Sequence, residues 1–300
     1  MKKILLKMLT VLTLVCITVT FTGKAAYADS FKVVTLGADL TKEQKSEMLK
    51  YFNVGEKDAN ILEVNKSEEE KYLANIASAS QIGTKSISCS YVEPTSKGGL
   101  DVSTHNITWV TDAMIRNALI TAGVENAVVK AAAPFKVSGT AALTGILKGF
   151  ENSSSGKKLD EENKKVANEE MIVTGQIGEK IGQDEAANLI NEVKTEVVKE
   201  KPKTEAEIRD IVVNVTNNFQ NSLSQEEINK ITSLMNNING LNLDFNKIKD
   251  QLNQASEKLK ETLSSEEAQG FFEGVKNFFS KLFESISSFF SSDSTENAQN

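Results

Sequence analysis

The stretch VVTLGADLTKEQKSEMLKYFNVGEKDANILEV (residues 33–64) decides the fold, because HNITWVTDAMIRNALITAGVENAVVKAAAP (residues 105–134) repeats its grammar. Each reads as strand, polar cap, helix, glycine-containing turn and strand. In the first, VVTL and ILEV are short β-branched and aliphatic runs, which suit a pleated, half-buried surface. Between them Gly37 turns the chain, and Thr41 with Gln44 makes a capping box for a helix running to about Lys50. In the second, TDAMIRNALITAG is a helix stopped by Gly123, and VENAVVKAAAP is the returning strand. The identities are few, so the echo is a weak sign of duplication. It does call for two similar β-α-β units in one sheet, and crossovers of this length join parallel neighbours.

Outward from these units, SEEEKYLANIAS opens a helix at Ser67. TKSISCSYVEP alternates as a strand, Gly98 and Gly99 turn the chain, and LDVSTHNITWV runs back as its hairpin partner. VSGTAALTGILKGFE is a helix beginning near Ser138, which serves as its cap. ENSSSG then breaks the pattern. From residue 157 the chain is helical in pattern, with interruptions at Gly175, Gly178 and Gly182 and a boundary at Pro202. Thr204 with Glu207, and Ser224 with Glu227, are further capping boxes, and Asp244 caps a third helix. Ile231, Leu234, Met235 and Ile238 form one apolar stripe, and Ile248, Leu252, Ala255 and Leu259 another, so these helices pack through one side. The expected class is α+β: an α/β domain with a small mixed sheet and packed helices (29–152), then a helical region (157–263).

The first residues, MKKILLKMLTVLTLVCITVTFTGKAAYADS, carry a basic start, an apolar run and Ala26-Tyr27-Ala28, the pattern of a secretory signal peptide cut after Ala28 (1–28). Removing it takes away four lysines and leaves 30 basic against 41 acidic side chains, a formal charge of −11. Such a surface repels polyanions, so nucleic acid is not an expected partner. Cys89 alone survives processing, which excludes an intramolecular disulfide and fits a small buried strand residue. No later apolar run is long enough for a transmembrane helix.

Chemistry has thin material. His105 is the only histidine and lies in a strand; the serines and acids around the chain show no nucleophile motif, so no catalytic residue is assigned. One Cys and one His cannot build a structural zinc site and no acidic run has calcium-loop spacing, so no metal residue or cofactor is assigned; a carboxylate-only calcium site on the acidic surface stays open. The best groove candidate pairs two turns, Gly37 to Thr41 in one and Ser138, Gly139 and Thr140 in the other. Free N–H groups at such a helix start could hold an anion, although the spacing is not that of a phosphate-binding loop.

The segment FFEGVKNFFSKLFESISSFF (271–290) holds seven of the fourteen phenylalanines. On a helical wheel Phe271, Phe272, Val275, Phe278, Phe279, Leu282, Phe283, Ile286, Phe289 and Phe290 fall within an arc of about 140°. Lys276 and Lys281 flank that arc, and Glu273 and Glu284 lie opposite. The amphipathic helix (264–290) therefore suits a membrane surface or envelope component, packing against the chain's own helices, or self-association. The polar end (291–300) reads as a disordered tail.

VVTLGADLT, the span TDAMIRNALITAGVENAVVKAAAPFKVSGTAALTGILKGFE and the signal peptide together resemble a family of secreted proteins of Gram-positive bacteria, catalogued as domain of unknown function 1002. The resemblance covers residues 1–263 and is strongest over 31–151. It implies an extracytoplasmic bacterial protein and carries no activity, cofactor or catalytic residue with it. The phenylalanine-rich end departs from the family pattern. The expectation is a secreted, cell-envelope-associated binding or structural protein. The alternative is an extracytoplasmic hydrolase acting on envelope glycan or peptide through the groove near Gly37 and Ser138.

Overall fold

The computed structural model describes residues 32–262 apart from 56, 155 and 218–222; the expected signal peptide and the segments 264–290 and 291–300 lie outside the described residues. In chain order come β1 (Val33–Gly37), α1 (Lys42–Tyr51), β2 (Asn60–Val64), α2 (Lys66–Leu73) and the short α3 (Ala79–Ile82). Then follow β3 (Cys89–Pro94), β4 (Leu100–Ile107), α4 (Asp112–Ala122), β5 (Ala127–Val137) and α5 (Ala142–Glu151). Helices α6 (Glu161–Ile181), α7 (Gln183–Glu200), α8 (Glu205–Thr216), α9 (Gln225–Gly240) and α10 (Phe245–Thr262) complete an α+β fold with a helical C-terminal region. Among the described residues no helix is long and apolar enough to cross a membrane.

The five strands form one mixed sheet in the order β2-β1-β3-β5-β4. Both echoing units are parallel pairs, with Val33 opposite Asn60 and Leu100 opposite Ala127. The expected hairpin of β3 with β4 does not form: β5 inserts between them, antiparallel to β3 and parallel to β4. Burial explains this order. Ala131, Ala132 and Ala133 of β5 are buried in succession, the composition of a central strand covered on both faces, whereas β4 alternates buried Leu100 and Val102 with exposed Asp101 and Ser103 and takes an edge. The strand also continues past Pro134 to Val137. Its pairing with β3 ends at Ala132, so a residue without an N–H costs no ladder bond on that side.

One face of the sheet (Val34, Leu36, Cys89, Tyr91, Ala132) packs on Met48 and Phe52 from α1 and its end. The other face (Val92, Leu100, Val102, Val129, Ala131) joins α4, α5 and the later helices in one continuous core. A Cβ on Gly145 would stand 2.6 Å from Thr35 Oγ1, so α5 lies this close to the sheet because Gly145 lacks one.

The capping boxes at Thr41, Thr204 and Ser224 form as the sequence predicts. Elsewhere the ends move. Asn65 with Glu68, rather than Ser67, opens α2. Gly37 does not turn the chain but closes β1, and the turn falls at residues 38 and 39. Ser138 does not cap α5, which starts four residues later behind Ala141 without a side-chain cap. Gly175 and Gly178 do not interrupt α6, which runs on to Ile181. Gly175 instead gives the Trp109 ring a seat that any Cβ would occupy.

The helical half buries charge as well as apolar surface. Lys194 on α7 is 0% exposed and donates to Glu170 Oε1 on α6 at 2.7 Å, to the Asn117 carbonyl at 2.9 Å and to Thr121 Oγ1 at 3.2 Å. All three ammonium protons thus have acceptors, the condition under which a buried lysine can stay charged. Helix α10 lies across α7 and α4. It is fixed there by Leu252 and Leu259 and by Asn191, which donates to the Leu252 carbonyl and Ser256 Oγ.

Candidate functional site at the carboxyl edge of the sheet

Strands β1 and β5 are both antiparallel to β3, so β1, β2, β4 and β5 share one direction and end on one edge of the sheet. In open α/β sheets that edge is the usual place for a ligand. Gly37, Val64, Ile107 and Val137 are its last strand residues.

The chain's own residues 78–87 run along this edge as a strap. A Cβ on Gly37 would overlap the Ser86 carbonyl, so glycine lets the strap lie against β1. The Asp39 N–H donates to the Ser86 carbonyl at 3.1 Å, and the Ser86 N–H returns a bond to Asp39 Oδ2 at 2.7 Å. Ser86 Oγ donates to Glu69 Oε1, and Glu69, on α2, is 1% exposed. Burial pushes the Glu69 carboxyl above its ordinary value, the Ser86 hydroxyl and Lys66 pull it back, and Asp39 adds to the rise. Lys66 Nζ lies 3.8 Å from Glu69 Oε2 and donates to the Ile82 carbonyl on the strap at 3.3 Å. At the other end Thr140 Oγ1 donates to the Gln81 carbonyl at 2.8 Å.

The two turns expected to flank a groove are thus both tied to one intervening segment. Gly37 and Thr140 touch the strap. Ser138 faces elsewhere: its carbonyl accepts from the Trp109 and Val110 N–H groups, and its hydroxyl lies 3.4 Å from Thr140 Oγ1. Gly139 has φ +89° and leaves no room for a Cβ beside Ile107, so it serves the backbone path. The Thr41 side chain accepts from the Gln44 N–H within its capping box. His105 is exposed and stacks on Tyr51 at 4.6 Å between ring centres. Cys89 is 1% exposed, and burial pushes its thiol up to about 11, far from a reactive thiolate.

Sequence reasoning missed Glu69, Ser86, Lys66 and Gln81. Glu69 sits in SEEE, which reads as a solvated run. One signal was present: Glu69, Leu73 and Ile76 are spaced as one helical face, so the carboxylate stands in the buried stripe. As chemistry, the cluster is a carboxylate that accepts from a hydroxyl through Oε1, with an ammonium 3.8 Å from Oε2 that donates to backbone; Oε2 itself has no hydrogen-bond partner. The cluster holds the strap down.

The architecture defines a class: a small mixed sheet, closed at its carboxyl edge by a strap and backed by a helical layer that shares its core. Within that class the chain belongs to the family described as "Protein of unknown function (DUF1002)", whose model matches residues 36–255. It is 40% identical over 260 residues to "Uncharacterized protein YpuA" of Bacillus subtilis (strain 168), a match covering 86% of this chain and 89% of that one. No solved structure matches.

Proposed function

We propose that this protein is exported and works at the cell envelope as a binding or structural component, with the segment 271–290 attaching it to the membrane surface. The observation that carries the preference for binding over catalysis is the strap: Asp39, Glu69 and Thr140 each make a hydrogen bond to residues 78–87. A hydrolase using this edge would have to release those bonds before a glycan or peptide could enter. Export rests on the lysine-rich, apolar start with Ala26-Tyr27-Ala28, and attachment on the single apolar arc of 271–290 with Lys276 and Lys281 at its borders.

Cell fractionation tests the reading. The mature chain is expected in the membrane or wall fraction, and deleting residues 271–290 is expected to release it into the medium. Equal recovery from the medium with and without that segment sinks the attachment. Retention of the uncleaved chain in the cytoplasm sinks the export.

A further inference from the structure

Residues 78–87 do at the carboxyl edge what an added peptide would do. The Asp39 N–H donates to the Ser86 carbonyl at 3.1 Å, and the Ser86 N–H donates to Asp39 Oδ2 at 2.7 Å, so one edge residue grips both main-chain groups of one strap residue. Glu69 accepts from the Ser86 hydroxyl, Lys66 donates to the Ile82 carbonyl at 3.3 Å, and Thr140 donates to the Gln81 carbonyl at 2.8 Å. All of these bonds but one go to main chain, and the exception goes to a serine hydroxyl. Gly37 completes the seat: a Cβ there would stand 2.3 Å from the Ser86 carbonyl oxygen, so the edge is shaped for the close approach of a second backbone. Recognition of this kind reads a peptide through its main chain and one side chain.

The strap's hold is incomplete. Glu69 is 1% exposed and its Oε2 has no hydrogen-bond partner, with the Lys66 ammonium 3.8 Å away. Closure therefore buries an acceptor that water would satisfy in the open state, which offsets part of the gain from the bonds made. Between its anchored ends the strap is exposed at Gly83, Thr84 and Lys85, and a Cβ on Gly83, at φ +70°, would meet nothing within 4 Å. Lifting this segment frees Asp39, Glu69, Lys66 and Thr140 together, at the edge where open α/β sheets take ligands.

We infer that the carboxyl edge is a binding site for an extended, serine-containing peptide, and that residues 78–87 occupy it as a built-in competitor. The incoming chain takes over the Asp39 bonds with the N–H and C=O of one residue and presents that residue's hydroxyl to Glu69. Ser86 is 0% exposed, so this position takes a small side chain. The inference rests on the reading of the protein as a binding component and names the ligand class for it.

A fluorescent peptide of the strap sequence, SASQIGTKSI (78–87), added in trans to the mature chain, is the probe. Anisotropy is expected to show an apparent affinity roughly tenfold or more higher for Ser86→Ala than for wild type, because the variant's own strap competes less well. A probe itself carrying Ser86→Ala is expected to bind that variant more weakly than the unaltered probe. Adding Asp39→Ala to the variant is expected to abolish binding. Thr140→Val loosens the other end of the strap and reads the result if Ser86→Ala does not fold. No gain in affinity in either loosened variant, equal binding of the two probes, or binding that survives Asp39→Ala overturns the inference. The assay is in solution, so its failure leaves the envelope reading standing, and failure of the fractionation test leaves the peptide site standing.

Discussion

The carboxyl edge of the sheet and the α6–α7 layer both bury a carboxylate beside a cation, and they solve the problem differently. At the edge, Glu69 takes the Ser86 hydroxyl and sits 3.8 Å from Lys66, so its partners come from one helix and the strap. In the helical layer, Glu170 meets Lys194 at 2.7 Å with both side chains 0% exposed, and Thr121 donates to the other Glu170 oxygen at 2.5 Å. Those partners come from three helices that only the finished fold brings together. The first arrangement is expected to open without unfolding the molecule, and the second is not. Local exposure and global stability should therefore separate between the two regions.

Breaking the helical pair should have the largest effect. Lys194→Met leaves Glu170 buried without its cation and is expected to cost about 3–5 kcal/mol in urea unfolding. Lys194→Met with Glu170→Leu should recover most of that loss, because neither charge is then stranded. A double variant as unstable as the single one would mean that packing, not charge, is what Lys194 supplies.

The same layer should also respond to pH. Glu192 on α7 accepts from Asn188 Nδ2 at 3.1 Å, and burial pushes its carboxyl from 4.5 up to about 8. Lys260 on α10 opposes the rise through space, and Glu196 adds to it. The folded protein thus holds this proton more tightly than the unfolded chain. Its stabilising contribution is full below pH 4.5 and is lost as pH rises through about 8. Glu192→Gln, fixed in the neutral form, should become progressively more stable than wild type across that window, at up to about 1.4 kcal/mol per pH unit. Parallel stability curves for the two proteins would rule out a buried, protonated Glu192.

Packing between the regions comes next in size. Gly175→Ala places a methyl in the Trp109 ring and should cost about 1–3 kcal/mol, with Trp109→Leu in the same chain relieving it. Trp109 is the single tryptophan, and its Nε1 donates to Glu179 at 3.0 Å, so its fluorescence reports the seat directly. An unchanged emission spectrum in Gly175→Ala would show that the methyl is accommodated without displacing the ring.

Gly175 also marks where sequence reading reached its limit. The β-α-β units, the capping boxes and the single-sided stripes were legible because each depends on residues a few positions apart. A glycine in a helix reads locally as a break, and only the position of Trp109, sixty-six residues earlier, makes it a seat. The β3–β4 hairpin failed for the same reason: Gly98-Gly99 gave a sound local signal, but the alanines of β5 took the central place. At the candidate site the turns around Gly37 and Thr140 were legible, whereas the strap between them depends on Glu69 and Ser86 meeting across the fold.

The smallest global effect, and the sharpest local one, is expected at that strap. Ser86→Ala removes the hydroxyl that Glu69 accepts from and leaves a buried carboxylate short of a donor, at a cost of about 1–3 kcal/mol to the closed state. Lys66 still faces Glu69 and the Asp39 bonds to the Ser86 backbone remain, so the rest of the fold should hold. Hydrogen exchange should accelerate across residues 78–87 and stay unchanged in α6 and α7. Glu69→Gln, neutral but still able to accept from Ser86, should perturb the strap less than Ser86→Ala. If both variants instead accelerated exchange throughout the helical layer, the edge would belong to the same cooperative unit as the Lys194–Glu170 pair, and the contrast between the two regions would collapse.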